Sequence, residues 1–313
     1  MKPELTLDVI TPTFERADLL RLTLDSLLRA EMPEGLKVSC VVVDNNSRDN
    51  TKEVVREYVE KYADTRPGFF RYLFESEQGV SSARNRGIRM TKSDWIAFID
   101  DDEEVCATWF VRAFAEMQKP EVAYFGGPYL LKPGLQIPAW AAKHKECRGP
   151  IGGFEHSHDQ DFEFTKDCKM QTLGGNVVIK RSILERIGLY DTALGRTDKG
   201  LLSSEDEDMH ERLVASGARG FYLKDLVIFH HVPKTRLTKA YHRKWFFGIG
   251  VSQGVRSQKK PQSCVYVGRI PRWVLGQALR TLPKALYDFG AELKLRHCLG
   301  FIYGSYRRAS RAT

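Results

Sequence analysis

With 313 residues, 42% of them apolar and 11% aromatic, the chain can form one large domain, or a domain with an appendage, around a sizeable core. Its six cysteines are scattered without a CxxC pair, which argues against zinc or redox motifs and fits a reduced, cytosolic setting. No run of about 18 apolar residues reads as a membrane span, and residues 1–8 do not read as a signal peptide. The net charge of +8 hides an asymmetry: residues 236–313 carry sixteen Lys/Arg against Asp288 and Glu292, leaving the first 235 residues at −6. Such a tail calls for an anionic partner.

In chain order, residues 7–10 read as a strand broken by the turn Thr11-Pro12-Thr13. A helix follows over about 18–28, with Leu20, Leu24, Leu27 and Leu28 on one face. Residues 37–43 form a second strand, continuously apolar at Val41-Val42-Val43 as a strand buried on both faces requires. The polar turn 44–50 leads into an amphipathic helix over 51–62, and 71–74 is a third strand. Residues 81–90 are helical and 95–99 form a fourth strand. Strands alternating with helices predict a parallel sheet of βαβ units, with ligands at the carboxyl ends of its strands. Polar clusters follow three of these strands, at 11–16, 44–50 and 100–104.

The third cluster is Asp100-Asp101-Asp102-Glu103-Glu104, directly after Trp95-Ile96-Ala97-Phe98-Ile99. Two like charges about 4 Å apart repel by roughly 4 kcal/mol at an effective dielectric of about 20. Five acids at the end of a core strand therefore call for a positive partner, and a hard divalent ion fits carboxylates together with substrate phosphates. Beyond residue 120 the pattern loosens. Residues 126–172 are rich in Gly, Pro, His and Trp and read as long loops around a second substrate pocket. Strand pattern returns at 177–179 and helix at 182–187. Ser204 with Glu207 fits a capping box for a helix that Gly217 ends, and an apolar strand at 226–229 precedes His230-His231.

Six motifs then stand in order: Thr11-Pro12-Thr13-Phe14-Glu15-Arg16, Val43-Asp44-Asn45-Asn46-Ser47, Gly79-Val80-Ser81-Ser82-Ala83-Arg84-Asn85-Arg86-Gly87, Phe98-Ile99-Asp100-Asp101-Asp102, Gly174-Gly175-Asn176 and Glu205-Asp206. Together they resemble the family 2 glycosyltransferases, inverting enzymes with the GT-A fold, over roughly residues 5–235. The resemblance implies an α/β fold with a nucleotide-binding, Rossmann-like, mostly parallel sheet. It divides the chain into a catalytic domain over 1–235 (donor half 1–125, acceptor half 126–235) and a basic helical extension over 236–313.

It also implies roles. Thr11, Pro12, Glu15 and Asp44 hold the base of a nucleotide-sugar donor, with a UDP-sugar favoured because a carboxylate accepts from a ring N–H of uracil. Arg84 sits near the diphosphate, orders its loop, or makes a salt bridge within the fold. Asp100 and Asp102 form the DxD pair: Asp100 reaches the ribose or metal-bound waters, and Asp102 binds Mn²⁺ or Mg²⁺. Asp101 joins the donor-binding set, and the two glutamates read as outer neighbours or solvated groups. Asp206 is the general base that takes the proton of the acceptor hydroxyl. His230 completes the metal site or packs with His231 at a strand end. The acceptor is a saccharide or a lipid-linked sugar, in surface polysaccharide or glycolipid synthesis. Trp140 is either an acceptor contact or a packing residue. A catalytically silent domain that binds a nucleotide sugar or a protein partner is the alternative.

In the tail, Leu275, Leu279, Leu282, Leu286, Phe289 and Leu293 make a helical stripe with a kink at Pro283, interleaved with Arg272, Arg280, Lys284, Lys294 and Arg296. Such a helix lies in an anionic membrane interface, docks on the catalytic domain, or docks on another subunit. The first option puts a cytoplasmic protein on the inner face of the cell membrane. No nucleic-acid recognition motif accompanies the charge.

Overall fold

The computed structural model describes residues 4–152, 159–168, 174–196, 204–259 and 264–306. Its first stretch runs β1 (Leu5–Thr13), α1 (Ala17–Arg29), β2 (Leu36–Asp44), α2 (Thr51–Lys61), β3 (Phe70–Phe74), α3 (Val80–Met90), β4 (Trp95–Phe98), β5 (Glu103–Val105) and α4 (Trp109–Met117). There follow β6 (Tyr124–Gly126), β7 (Tyr129–Leu131), α5 (Ala139–Ala142), α6 (Arg148–Ile151), β8 (Phe162–Glu163), β9 (Val177–Lys180), α7 (Arg181–Ile187), α8 (Glu205–Ala215), β10 (Gly220–Tyr222) and β11 (Ile228–His230). Last come α9 (Lys239–Lys259), β12 (Tyr266–Val267), β13 (Ile270–Pro271), α10 (Arg272–Thr281) and α11 (Phe289–Tyr306).

Two compact units emerge. The first comprises residues 1–132, 154–192 and 205–231; the second comprises 133–153, 193–204 and 232–313. The second unit thus draws on chain from both sides of residue 235.

The first unit is built on an eight-stranded sheet in the order β3-β2-β1-β4-β9-β6-β10-β8. The four strands read from the 3.6- and 2-residue periodicities are all parallel, while β9 runs antiparallel between β4 and β6. One core, with Leu7, Val9, Leu20, Leu24, Val54 and Trp109, covers one face. A second, with Ile10, Val41, Ala83, Ile88, Phe98 and Leu213, covers the other. This two-sided burial explains the unbroken valines of β2. Chain order reverses on the two sides of β1, so the carboxyl ends of β1 and β4 form the switch point where such sheets bind ligands.

Thr11-Pro12-Thr13 does not break β1 as the sequence suggested; the strand continues to Thr13. Ile10 accepts from Ile99 on the β4 side, and Thr13 accepts from Asn45 on the β2 side. By alternation, Pro12 points its missing N–H toward β4, which has already ended at Phe98. No ladder bond is lost, so the proline is tolerated.

A three-stranded sheet, β5-β11-β7, carries the acidic run to its histidine neighbours, with His230 registered against Glu103. Gly127 and Asn176 fix how it meets the large sheet. A Cβ at Gly127 would overlap the Leu226 carbonyl oxygen. Asn176 is fully buried and donates to that same oxygen at 2.7 Å, while accepting from the Trp109 indole at 3.0 Å.

In the second unit α9 and α11 meet through glycines. A Cβ at Gly250, Gly254, Gly300 or Gly304 would overlap the facing helix backbone, the close approach that small-xxx-small spacing permits. Trp140 packs edge-on against His242 and Phe289, the packing role the sequence left open. The stripe read as one kinked helix is instead two, α10 and α11, joined by a short 3₁₀ turn over Lys284–Leu286. Pro283 removes one N–H donor, and Asp288 then caps α11 by accepting from the Ala291 N–H.

Gly127→Ala is expected to cost about 2–3 kcal/mol, because the obstructing atom is backbone and cannot rotate away. Thermal unfolding should show a melting temperature lower by about 5 °C or more. An unchanged midpoint would mean that the β6–β7 link yields.

Candidate active site

The site lies at the carboxyl ends of β1, β2 and β4 in the first unit. At β1, Thr11 and Pro12 are buried within the strand, Thr13 donates to Asp101 at 2.8 Å, and Glu15 stands exposed at φ +51°. The Glu15 N–H donates to Ser47 Oγ at 2.9 Å, tying the first loop to the second. At β2, Asp44 is buried and accepts from the Ser47 N–H at 2.9 Å and from the Tyr72 hydroxyl at 2.8 Å. Asn45 accepts from the Gly79 N–H at 2.7 Å, fixing the start of α3. Gly79 has φ +147°, a backbone open only to glycine.

The Gly79–Gly87 motif thereby gains a physical reading. Gly87 lets α3 lie on β1: a Cβ there would come within 2.6 Å of Ile10. Asn85 exchanges two 2.9 Å hydrogen bonds with the Tyr190 backbone. Arg84 is fully buried, its guanidinium 5.3 Å from the Tyr190 ring centre and 5.8 Å from that of Phe98. It donates to Asp100 Oδ1 at 3.0 Å and to Asp206 Oδ1 at 2.7 Å, with Glu205 at 3.6 Å. Of the roles left open for Arg84, the salt bridge within the fold is the one this geometry displays.

The acidic run divides sharply. Asp100, Asp102 and Glu103 each offer an oxygen within 4.8 Å of the others. Asp101 is buried between Thr13 and Arg16, which also reaches Asp102 Oδ2 at 3.1 Å. Burial pushes the Asp101 carboxyl up to about 6 against the pull of Arg16. Of the two readings left open for Glu103, solvation does not hold: it is buried and accepts from the Asp100 N–H at 2.8 Å. Burial, then Asp100 and Asp102, hold it well above the usual carboxylate range. Glu104 turns the other way, toward Lys132, Arg29 and His231. The two histidines therefore part company, and His230 Nε2 lies 3.5 Å from Asp102 Oδ2.

This oxygen-rich set, crowded and short of positive charge, fits a hard divalent ion. Asp100, Asp102 and Glu103 are the residues placed to hold one, with His230 beside them.

Asp206 opens α8, where the macrodipole favours an anion. The predicted capping box is not made: Ser204 has φ +82° rather than the extended backbone of a cap, and its hydroxyl finds no partner among the described residues. Gly217, at φ +73°, closes the far end as expected. The Asp206 side chain keeps 30% of its exposure. Burial of the rest raises its pKa, while Arg84 and the Gly174 N–H oppose. A Cβ at Gly174 would overlap the Asp206 carboxylate, and one at Gly175 the Glu103 carboxylate. The Gly-Gly pair is thus the space these acids occupy. Arg16 and Tyr72 escaped sequence reasoning, although Arg16 stands inside a quoted motif, and the sequence placed Glu103 only as an outer neighbour or a solvated group.

Comparisons with known proteins identify the family and the fold. The family model "Glycosyl transferase family 2" matches residues 8–188, more than half of the chain. The succinoglycan biosynthesis protein ExoM of Rhizobium meliloti is 24% identical over 80% of this chain and 74% of its own length. The uncharacterized glycosyltransferase YibD of Escherichia coli is 32% identical over 33% of this chain and 28% of its own. The chain spans less than two fifths of several other curated relatives it matches. Among solved structures, a mannosyltransferase from Pyrobaculum calidifontis in complex with GDP-Man and Mn²⁺ aligns over 97% of this chain and 87% of its own, with a TM-score of 0.61 at 17% identity. GalNAc-T7 with UDP, GalNAc and Mn²⁺ aligns over 84% and 52%, with a TM-score of 0.55 at 14% identity. The α/β architecture with its mostly parallel sheet and C-terminal helices is the GT-A fold. By its matched residues and its motifs, the chain belongs to glycosyl transferase family 2.

Proposed function

We propose that this chain is an inverting, metal-dependent glycosyltransferase. It moves a sugar from a nucleotide-sugar donor, a UDP-sugar by preference, to a hydroxyl of a saccharide or lipid-linked acceptor in surface polysaccharide or glycolipid synthesis. The observation that carries this reading is Arg84, which holds Asp100 and Asp206 on two nitrogens of one guanidinium. The candidate base thus sits one side chain away from the donor-end carboxylates.

Glu15 and Asp44 border the place for the base, and Thr11 and Pro12 form the strand end beneath it. A bound Mn²⁺ or Mg²⁺ supplies Lewis-acid stabilisation of the departing nucleoside diphosphate. Asp100, Asp102 and Glu103 would hold that ion, with His230 beside Asp102. Asp206 accepts the proton of the acceptor hydroxyl, and its raised pKa makes it a stronger base than an exposed aspartate. One base and an assisted leaving group suffice for direct displacement with inversion. The names of relatives support the product class: one acts in succinoglycan biosynthesis, and another, from Campylobacter jejuni, is a glucosyltransferase acting on a pyrophosphoryl-undecaprenol-linked glycan. Such an acceptor fits a cytoplasmic protein held at the inner face of the cell membrane by residues 236–313.

Three measurements test this. Calorimetric titration with nucleoside diphosphates and nucleotide sugars should show Mn²⁺-dependent binding within the uridine series, weakened about tenfold or more by Asp102→Asn. No response from any nucleotide with metal present would favour the silent, partner-binding alternative. Asp206→Asn should leave donor affinity within a few-fold yet lower the transfer rate by about 10³; retained transfer would remove Asp206 from its role. Finally, kcat/KM should fall as pH drops through the Asp206 pKa, because the protonated acid accepts nothing. Since that pKa is raised, the acid limb should lie above the ordinary 3.8 of an aspartate and be absent from the residual rate of Asp206→Asn. A limb unchanged in the variant would belong to another group.

A further inference from the structure

The α10–α11 corner of the second unit exposes an apolar edge. Leu279 is 71% exposed, Leu282 55%, Leu286 91% and Tyr287 80%, all within nine consecutive residues. Side chains of that size present on the order of 500 Å², at the upper end of what a monomer leaves bare. Val274, Leu293 and Phe301 bury the opposite side of the same helices, so the edge is not a failed core. Arg280 and Lys284 stand exposed within it, and Pro283 caps the bend.

The charge within segment 279–287 is of one sign. Residues 236–313 hold two acids, and both are engaged internally. Asp288 caps α11, and Glu292 lies between Arg243 and Arg296 at 2.8–2.9 Å. What faces outward is cationic. The glycine contact between α9 and α11 has a related effect. With the backbones nearly touching, large side chains have no room between the helices, and Phe247, Leu299, Tyr303 and Tyr306 are left exposed.

We propose that the segment 279–287 is a membrane-interface wedge. Leu279, Leu282, Leu286 and Tyr287 enter the headgroup–acyl boundary of an anionic bilayer, and Arg280 and Lys284 meet its lipid phosphates. Leucines and a tyrosine on a bend flanked by cations are what such an interface takes up. A second copy of the chain is a poorer occupant, because a self-complementary contact would set Arg280 and Lys284 against like charges with no exposed acid in the segment to answer them. No helix among the described residues is long and apolar enough to cross a membrane, so the contact is with one leaflet. The inference rests on the transferase reading only in giving that contact a purpose, the presentation of a lipid-linked acceptor.

The test uses the full chain in flotation with vesicles of phosphatidylcholine alone and with about 30 mol% phosphatidylglycerol. Wild-type protein is expected to float with the anionic vesicles, with a partition coefficient about tenfold or more above that for the neutral ones. The Leu279→Gln/Leu282→Gln/Leu286→Gln variant should lose that binding while keeping its melting temperature, since all three side chains are exposed. The Arg280→Gln/Lys284→Gln variant should lose the preference for anionic lipid. Equal binding to both vesicles, or an unaffected leucine variant, would overturn the wedge. So would a dimer in solution that the leucine variant dissolves while vesicles are ignored. Calorimetric donor binding, run in parallel, separates the two readings: intact donor binding without flotation removes only the wedge, and flotation without donor binding removes only the transferase.

Discussion

Five carboxylates, those of Asp100, Asp101, Asp102, Glu103 and Asp206, converge on two guanidinium groups, and the first unit is arranged around that imbalance. Arg16 takes Asp101 and Asp102; Arg84 takes Asp100 and Asp206. Glu103 is left with a backbone N–H. Buried ions are costly unless paired and hydrogen-bonded, so an excess of three carboxylates over guanidinium groups, concentrated in a few ångströms, favours a cation there. It is why the three oxygens within 4.8 Å could hold a hard metal ion. It also explains why Arg84 must be arginine: a lysine ammonium has no planar fork with which to hold two carboxylates at once.

Crowding follows from the same constraint. Acids that must approach one another exclude other side chains from the space between. Gly174 and Gly175 are that exclusion written in sequence, since a methyl at either would overlap a carboxylate. Asn176 then anchors the loop by spending its amide on the Leu226 carbonyl and its oxygen on the Trp109 indole. The Leu226 carbonyl is also the atom that keeps Gly127 a glycine. One carbonyl thus fixes the approach of β11, and with it the position of His230 beside Asp102.

Much of this is legible in the sequence. The valines of β2 and the helical stripes of α1 and α2 point to the sheet, because periodicity reports burial directly, and the polar clusters after three strands mark the edge of the candidate site. What stayed hidden were partnerships between distant residues. Nothing local marks Arg84 as a bridge to Asp206, 122 positions away, or Tyr72 as a donor to Asp44. Local rules also misled where tertiary context overrode them. Pro12 looked like a strand breaker, yet its bare nitrogen faces the side where β4 has ended. Ser204 looked like a cap, yet its backbone is left-handed. The leucine spacing of the tail was right for a helix, but a period carries through a proline on paper more easily than in a chain, and the bend at 282–288 turned half of that stripe outward.

The pairing of Asp206 with Arg84 raises a question of strength, since an aspartate held by arginine is ordinarily a weak base. Two opposing influences act on it. The guanidinium at 2.7 Å stabilises the anion, whereas burial and the neighbouring Asp100 destabilise it, and the net shift is upward. Asp100 contributes twice. It repels Asp206 directly, and it draws on the same guanidinium, so that Arg84 is shared rather than given wholly to the base. The sharing also fixes orientation, with Oδ1 committed to Arg84 and the Gly174 N–H as a further donor to the carboxylate. A carboxylate paired with arginine, yet raised by its surroundings, has the added proton affinity that the proposed base role asks for.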